Sequence, residues 1–341
     1  MYEYTLALSQ VNFVKTLPNP CFSHSSLAYD SVHDKIWVGT NGDWASGRNG
    51  DPGGGLPASS TTGLYRVNPA TLAEELFVDL QTFTFGGLFF NGAAYVYQMP
   101  NPSFSPFQVF AAESGFYDLI YAGGKLWGSF YVAPGGSTPV GWFTSFDPTN
   151  PTGSNFAAAW RPGAPPIQLA YDSASSPNRV WMNQDDDEFN GLWPGAVNAD
   201  WTPVSALVPI YNTFDTPFPP ASNGAHGAVV FAANVSKMYL LEMANQRLIR
   251  YSLGGTIETN VSIPGAAIGG MTIKMRYNSA DGFIYIPCPA ANQVIQFNPL
   301  TNSVIKIWTS TDGVDACHDV VFAGTRKFAI QTGPSGLREL T

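Results

Sequence analysis

Charge is what this sequence has least of. Only 12% of its 341 residues are Asp, Glu, Lys or Arg, where soluble domains typically carry about a quarter. The 16 Lys and Arg are scattered and outweighed by 25 Asp and Glu, for a net charge of −9. Phosphate binding needs clustered cations, so nucleic acid is excluded as a partner. Long, charge-rich helices are equally hard to build from such a sequence. Cysteine is scarce too: Cys21, Cys288 and Cys317 have no metal-ligand spacing, and their odd number gives no complete disulfide framework. They read as small buried thiols. No apolar run approaches the roughly 20 residues of a membrane span, so membrane insertion is not expected. The opening Met1-Tyr2-Glu3-Tyr4-Thr5-Leu6 lacks a basic stretch leading into an apolar one, so no secretory signal is expected. There is no G-x-S-x-G elbow, no H-E-x-x-H and no Walker loop. Gly53-Gly54-Gly55, flanked by Pro52 and Pro57, reads as a plain loop.

What the chain does have is 45% apolar residues, 34 Gly and 27 Pro. That is ample for a large core, and it suits short strands joined by tight turns. One pattern recurs: an apolar run ending in an aromatic, a short polar turn, then a second apolar or aromatic run. Leu27-Ala28-Tyr29-Asp30 leads to Lys35-Ile36-Trp37-Val38, and Leu119-Ile120-Tyr121 to Lys125-Leu126-Trp127. Leu169-Ala170-Tyr171-Asp172 leads to Arg179-Val180-Trp181, and Val229-Val230-Phe231 to Lys237-Met238-Tyr239. Met275-Arg276-Tyr277-Asn278 leads to Phe283-Ile284-Tyr285, and Val320-Val321-Phe322 to Lys327-Phe328-Ala329. A weaker copy is Leu88-Phe89-Phe90, then Ala94-Tyr95-Val96-Tyr97. The anchoring aromatics recur about every 49 residues, the period of propeller blades. Third strands such as Leu64–Val67 and Val294–Phe297 end in Asn-Pro, where Pro presets φ and the Asx side chain can cap the turn. Fourth strands follow, as in Glu75–Val78 and Ser303–Trp308.

These features predict an all-β chain: a single β-propeller over residues 1–341, with seven four-stranded blades. The last copy holds three strands, around Val320, around Phe328 and over Leu337–Leu340, while Val11–Lys15 is left over at the start. Residues 1–16 are therefore expected to supply the outer strand of the last blade, closing the ring and removing two exposed edges. A solenoid or double sandwich would leave those terminal strands without partners. Six or eight blades are the alternatives within the propeller reading.

In a four-stranded blade the one-to-two and three-to-four turns share one end, and the other connections share the opposite end. The first class is short here, as in Ser31–Asp34. The long insertions, 41–61, 99–105, 131–140, 184–190 and 210–225, fall in the second class. Long loops close at little cost and usually persist because they carry recognition. The candidate binding residues on that face are Asp43, Trp44, Arg48, Phe189, Trp193, Tyr211, Phe214 and Phe218. Aromatics among Asn, Ser and Gly match a paratope or glycan-binding composition. They also suit a seal on the rim or a subunit contact. In the acidic run Asp185-Asp186-Asp187-Glu188, Asp185, Asp187 and Glu188 are candidate Ca²⁺ ligands. The run lacks EF-hand alternation, so a solvated loop is the plainer reading. His24, His226 and His318 each precede an anchoring aromatic by four or five residues. They are candidates for a divalent ion or a general base near a channel mouth, against a hydrogen-bonded structural role.

Ile36-Trp37-Val38-Gly39-Thr40 and Gly63-Leu64-Tyr65-Arg66-Val67-Asn68-Pro69-Ala70-Thr71 resemble the broad superfamily of YVTN, NHL and streptogramin-lyase-like propellers. That resemblance implies the fold rather than an activity. In streptogramin lyases a central His and carboxylates around a divalent ion carry the elimination. His226 or His318 would match that His, with Glu242 as a nearby acid. The function expected from composition is different: a non-enzymatic binding or structural propeller of a bacteriophage virion, in a tail, fibre-associated or decoration role. Few charges, many aromatics and abundant Gly, Pro, Ser, Thr and Asn suit an extracellular adhesin. The lack of a signal and of disulfides suits a protein made in the cytoplasm. Expected partners are other virion proteins, a host-surface glycan or receptor, or further copies of the chain, with no cofactor required. The alternatives are a metal-dependent lyase or hydrolase, and a cell-surface or periplasmic carbohydrate-binding propeller if the chain is a mature form.

Overall fold

Ala228-Val229-Val230-Phe231-Ala232 shows why this sequence makes sheets buried on both sides. All five residues are buried. Alternate side chains leave a strand in opposite directions, so a continuous apolar run has a core on each face. A computed structural model of the chain describes residues 2–4, 10–13, 23–41, 63–71, 73–79, 85–90, 95–98, 114–132, 140–151, 155–162, 166–186, 191–192, 195–200, 228–242, 246–263, 274–323, 326–331 and 337–341. Two compact units emerge, one built around Gln10–Leu169 and the other around Ala170–Thr341.

In the first unit β1 (Tyr2–Tyr4) pairs with β2 (Gln10–Phe13). β3 (Ser23–Asp30), β4 (Lys35–Asn41), β5 (Gly63–Val67) and β6 (Glu74–Asp79) form an antiparallel meander. β7 (Phe85–Phe90) and β8 (Tyr95–Gln98) form a hairpin. β9 (Ser114–Ala122), β10 (Lys125–Val132), β11 (Val140–Phe146) and β12 (Asn155–Pro162) form the next meander. The weak sequence copy at 88–97 is thus not a separate sheet. β7 pairs in parallel with β12, giving six strands in the order β8-β7-β12-β11-β10-β9, and β9 packs on β3 and β4.

The second unit opens with β13 (Pro166–Asp172, which starts in the first), β14 (Arg179–Asp186), β15 (Gly191–Leu192) and β16 (Gly195–Asn198). β15 and β16 both pair with β14, in one common register. Two regular meanders follow: β17 (Ala228–Ala232), β18 (Lys237–Glu242), β19 (Arg247–Tyr251) and β20 (Ile257–Ser262), then β21 (Arg276–Asn278), β22 (Phe283–Cys288), β23 (Gln293–Asn298) and β24 (Ser303–Trp308). β25 (Cys317–Ala323), β26 (Arg326–Gln331) and β27 (Leu337–Glu339) make the last sheet, three-stranded among the described residues.

The repeat seen in the sequence has a structural rule behind it. The third residue of each second strand is aromatic and buried: Trp37, Trp127, Trp181, Tyr239, Tyr285 and Phe328. Trp181, Tyr239 and Tyr285 fill the space between sheets. The anchoring aromatics at the ends of the inner strands do less of this work, and Tyr29 is 55% exposed. Register places the two sets of aromatics on opposite faces. Trp37 pairs with Ala28 and Tyr239 with Val230, one residue before Tyr29 and Phe231 respectively. The anchoring aromatic therefore projects from the other face.

β-Bulges recur between third and fourth strands, at Arg66/Val67, Arg250/Tyr251 and Gln296/Phe297, and between first and second strands, at His24/Ser26, Ser129/Phe130 and Cys317/Asp319. A bulge adds twist to the outer edge of a sheet. Arg66 and Arg250 pair with Trp37 and Tyr239. Glu75 binds Lys35 and Arg66, and Glu258 binds Lys237 and Arg250, so one three-charge arrangement appears in both units.

In the second unit successive cores lie between successive sheets. Trp181 joins Val229, Phe231, Met238 and Leu240; Val230, Tyr239 and Leu241 join Ile284 and Ile286; Tyr285 and Trp308 join Val320, Ala329 and Leu340.

Candidate functional site

The two ends of each sheet are built differently. At the end carrying the one-to-two and three-to-four connections, a single device recurs. An Asp or Asn closing a strand accepts backbone N–H groups two and three residues on. The Asp30 carboxylate accepts from Val32 and His33 (3.1 Å each), and Asp172 accepts from Ala174 (2.8 Å) and Ser175 (3.1 Å). Asn68 accepts from Ala70 (2.9 Å) and Thr71 (3.1 Å). Asp147, Asn278 and Asn298 accept from Thr149, Ala280 and Leu300. Such Asx turns satisfy turn donors locally and hold the connection short. The second oxygen is used as well, by His33 Nδ1 on Asp30 (2.7 Å) and by the Ser175 hydroxyl on Asp172.

Electrostatics follow from these bonds. Burial works to raise the pKa of Asp30, but bonds from the His33 ring and from the His33 and Val32 N–H groups outweigh it and hold the carboxyl below the ordinary range. The Thr149 hydroxyl and N–H lower Asp147 in the same way. Burial raises Tyr121, and the neighbouring Asp30 carboxylate adds to the shift.

Polar ties also join neighbouring sheets at this end. In the second unit the Arg179 guanidinium donates to the Leu253 carbonyl (2.7 Å), the Tyr239 hydroxyl to the Pro299 carbonyl (3.0 Å), and Asn234 Nδ2 to the Gly282 carbonyl (3.0 Å). Inner strands are tied too. Arg276 makes a bidentate pair with Asp319 (2.8 and 2.7 Å), linking β21 to β25. In the first unit the buried Asp118 accepts from the N–H of Leu169 (2.9 Å). Asp118 and Asp319 were not singled out in the sequence, yet each lies three residues before an anchoring aromatic. That shared offset was the available signal.

The opposite end carries the long connections, and the described part of it is braced. Pro289–Ala291 and Ser310–Asp312 form single 3-10 turns, the second closed by a Thr309–Asp312 capping box. The Asn292 side chain accepts from the Ala316 N–H (2.9 Å), and Arg338 donates to the Asp312 carbonyl (3.1 Å). Gly313 has φ +81°, a conformation that favours glycine, while the Arg338 guanidinium 2.9 Å from where a Cβ would sit is a flexible side-chain end that can move aside. Burial pushes the thiols of Cys288 and Cys317 up to about 12, which fits inert packing groups.

Asp43, Trp44, Arg48, Asp187, Glu188, Phe189, Trp193, Tyr211, Phe214, Phe218 and His226 lie outside the described residues. Asp185 is described as backbone alone. It pairs with Leu192, so β14 runs on through Asp186 and the first half of the acidic run is strand rather than loop. His24 is placed by its backbone at the start of β3, opposite Thr40, and His318 by its backbone in β25. Glu242 ends β18, opposite Arg247. Among the described residues no three His, Cys, Asp or Glu side chains form a group able to hold a metal ion.

The sequence matches no known family model and no curated protein. Solved structures do resemble the fold. A periplasmic gluconolactonase from Pseudomonas aeruginosa aligns over 100% of this chain and 90% of its own, at 13% identity and a TM-score of 0.55. A streptogramin B lyase aligns over 95% of this chain and 84% of its own, at 12% identity and a TM-score of 0.52. At such identities the likeness speaks for architecture alone. Joined to the repeated four-stranded meanders, it gives the chain the all-β propeller fold of those two structures.

Proposed function

We propose that this propeller is a non-enzymatic binding and structural protein that uses the long-loop ends of its sheets for protein or glycan contacts. The observation that carries the reading is the contrast between sheet ends. One end is closed by Asx turns and intersheet ties, while the long segments 42–62, 133–139 and 201–227 depart from the other. A trimmed, hydrogen-bonded end is a scaffold; a varied, aromatic-bearing end is where recognition is carried. The setting in this reading is a bacteriophage particle, as a tail, fibre-associated or decoration component. Its support is compositional: 12% charged residues with abundant Gly and Pro. In this reading the anchoring aromatics mark seven repeats, one of which, the β7–β8 hairpin, is joined to the β9–β12 sheet. The same reading gives residues 1–16 the outer strand of the last blade, while among the described residues β1 and β2 pair with each other.

A second reading has support from the two similar structures, a lyase and a gluconolactonase. It is a metal-dependent lyase or hydrolase acting through His24, His226 and His318. Native mass spectrometry with metal analysis on one sample separates the two. A defined multimer without stoichiometric metal, recovered also from purified particles, is the expected result. A monomer holding one tight divalent ion, lost on His226→Ala or His318→Ala, overturns the binding-protein reading.

A further inference from the structure

We draw no further inference here: the strongest candidate, the exposed apolar pair Val321 and Ile330 on the three-stranded sheet β25–β27, carries nothing because nothing in the structure shows what covers it.

Discussion

Two tryptophans at equivalent positions differ in one bond, and that bond has a measurable consequence. Trp37 and Trp127 are both fully buried. Trp127 Nε1 donates to the Ala122 carbonyl (3.1 Å), whereas Trp37 Nε1 finds no acceptor among the described residues. Trp127→Phe should therefore destabilise the protein by about 1 kcal/mol more than Trp37→Phe, the net value of one hydrogen bond beyond the shared loss of volume. Urea midpoints of the two variants check this, and equal midpoints would refute it. Asp30 gives a pH prediction. Its folded pKa is lowered, so it binds a proton less readily folded than unfolded. The stability it contributes is complete above the unfolded value of about 3.9 and is lost as pH falls through the lower folded value. Asp30→Asn, which keeps an acceptor for the turn but removes the charge, should flatten the decline in urea midpoint below about pH 4. An unchanged slope would show that other carboxylates govern acid unfolding. All three residues sit in a motif legible in the sequence. Their bonding was not, because donors and acceptors are set by rotamers and neighbouring turns.

At the scale of the element, strands were legible where the pattern is local. The runs at Lys35, Lys237 and Ser303 emerge as β4, β18 and β24, and the Asn-Pro signals at Asn68 and Asn298 emerge as Asx turns. Which aromatic faces the core was not legible, since a one-residue offset decides it and register is fixed by pairing. The inner strands depend on ties of long sequence separation. Arg276 and Asp319 are each less than a third exposed, and their bidentate pair joins β21 to β25. Arg276→Ala and Asp319→Ala should each cost about 1–3 kcal/mol, because each leaves a partly buried charge without its partner. The double variant should cost less than the two single losses combined. A double-mutant cycle in denaturant measures that coupling, expected at roughly 0.5 kcal/mol or more. Strict additivity would mean that the two side chains act independently.

For the molecule as a whole, the proposed role of residues 1–16 is open to direct measurement. β27 forms one edge of the last sheet in the described structure, and a strand laid along it would protect its outward amides. Deleting residues 1–16 should speed hydrogen exchange at Leu337–Glu339 and leave β17–β20 unchanged. If exchange at β27 does not change, the last sheet stands as three strands and the closure proposal fails. The candidate face was legible only as insertions of unusual length. Chain length alone shows where a sheet can be elaborated.

The sequence by itself determined the all-β class, the spacing of the repeat and the two kinds of sheet end. All of these follow from period-two alternation and turn chemistry, which act over a few residues. Tertiary structure alone decided that β7 pairs in parallel with β12, that Asp118 and Asp319 tie inner strands across dozens of residues, and that Tyr29 is left half outside the core. Such pairings are chosen by the packing of distant segments, where many registers satisfy the local pattern and only one fills the space between sheets.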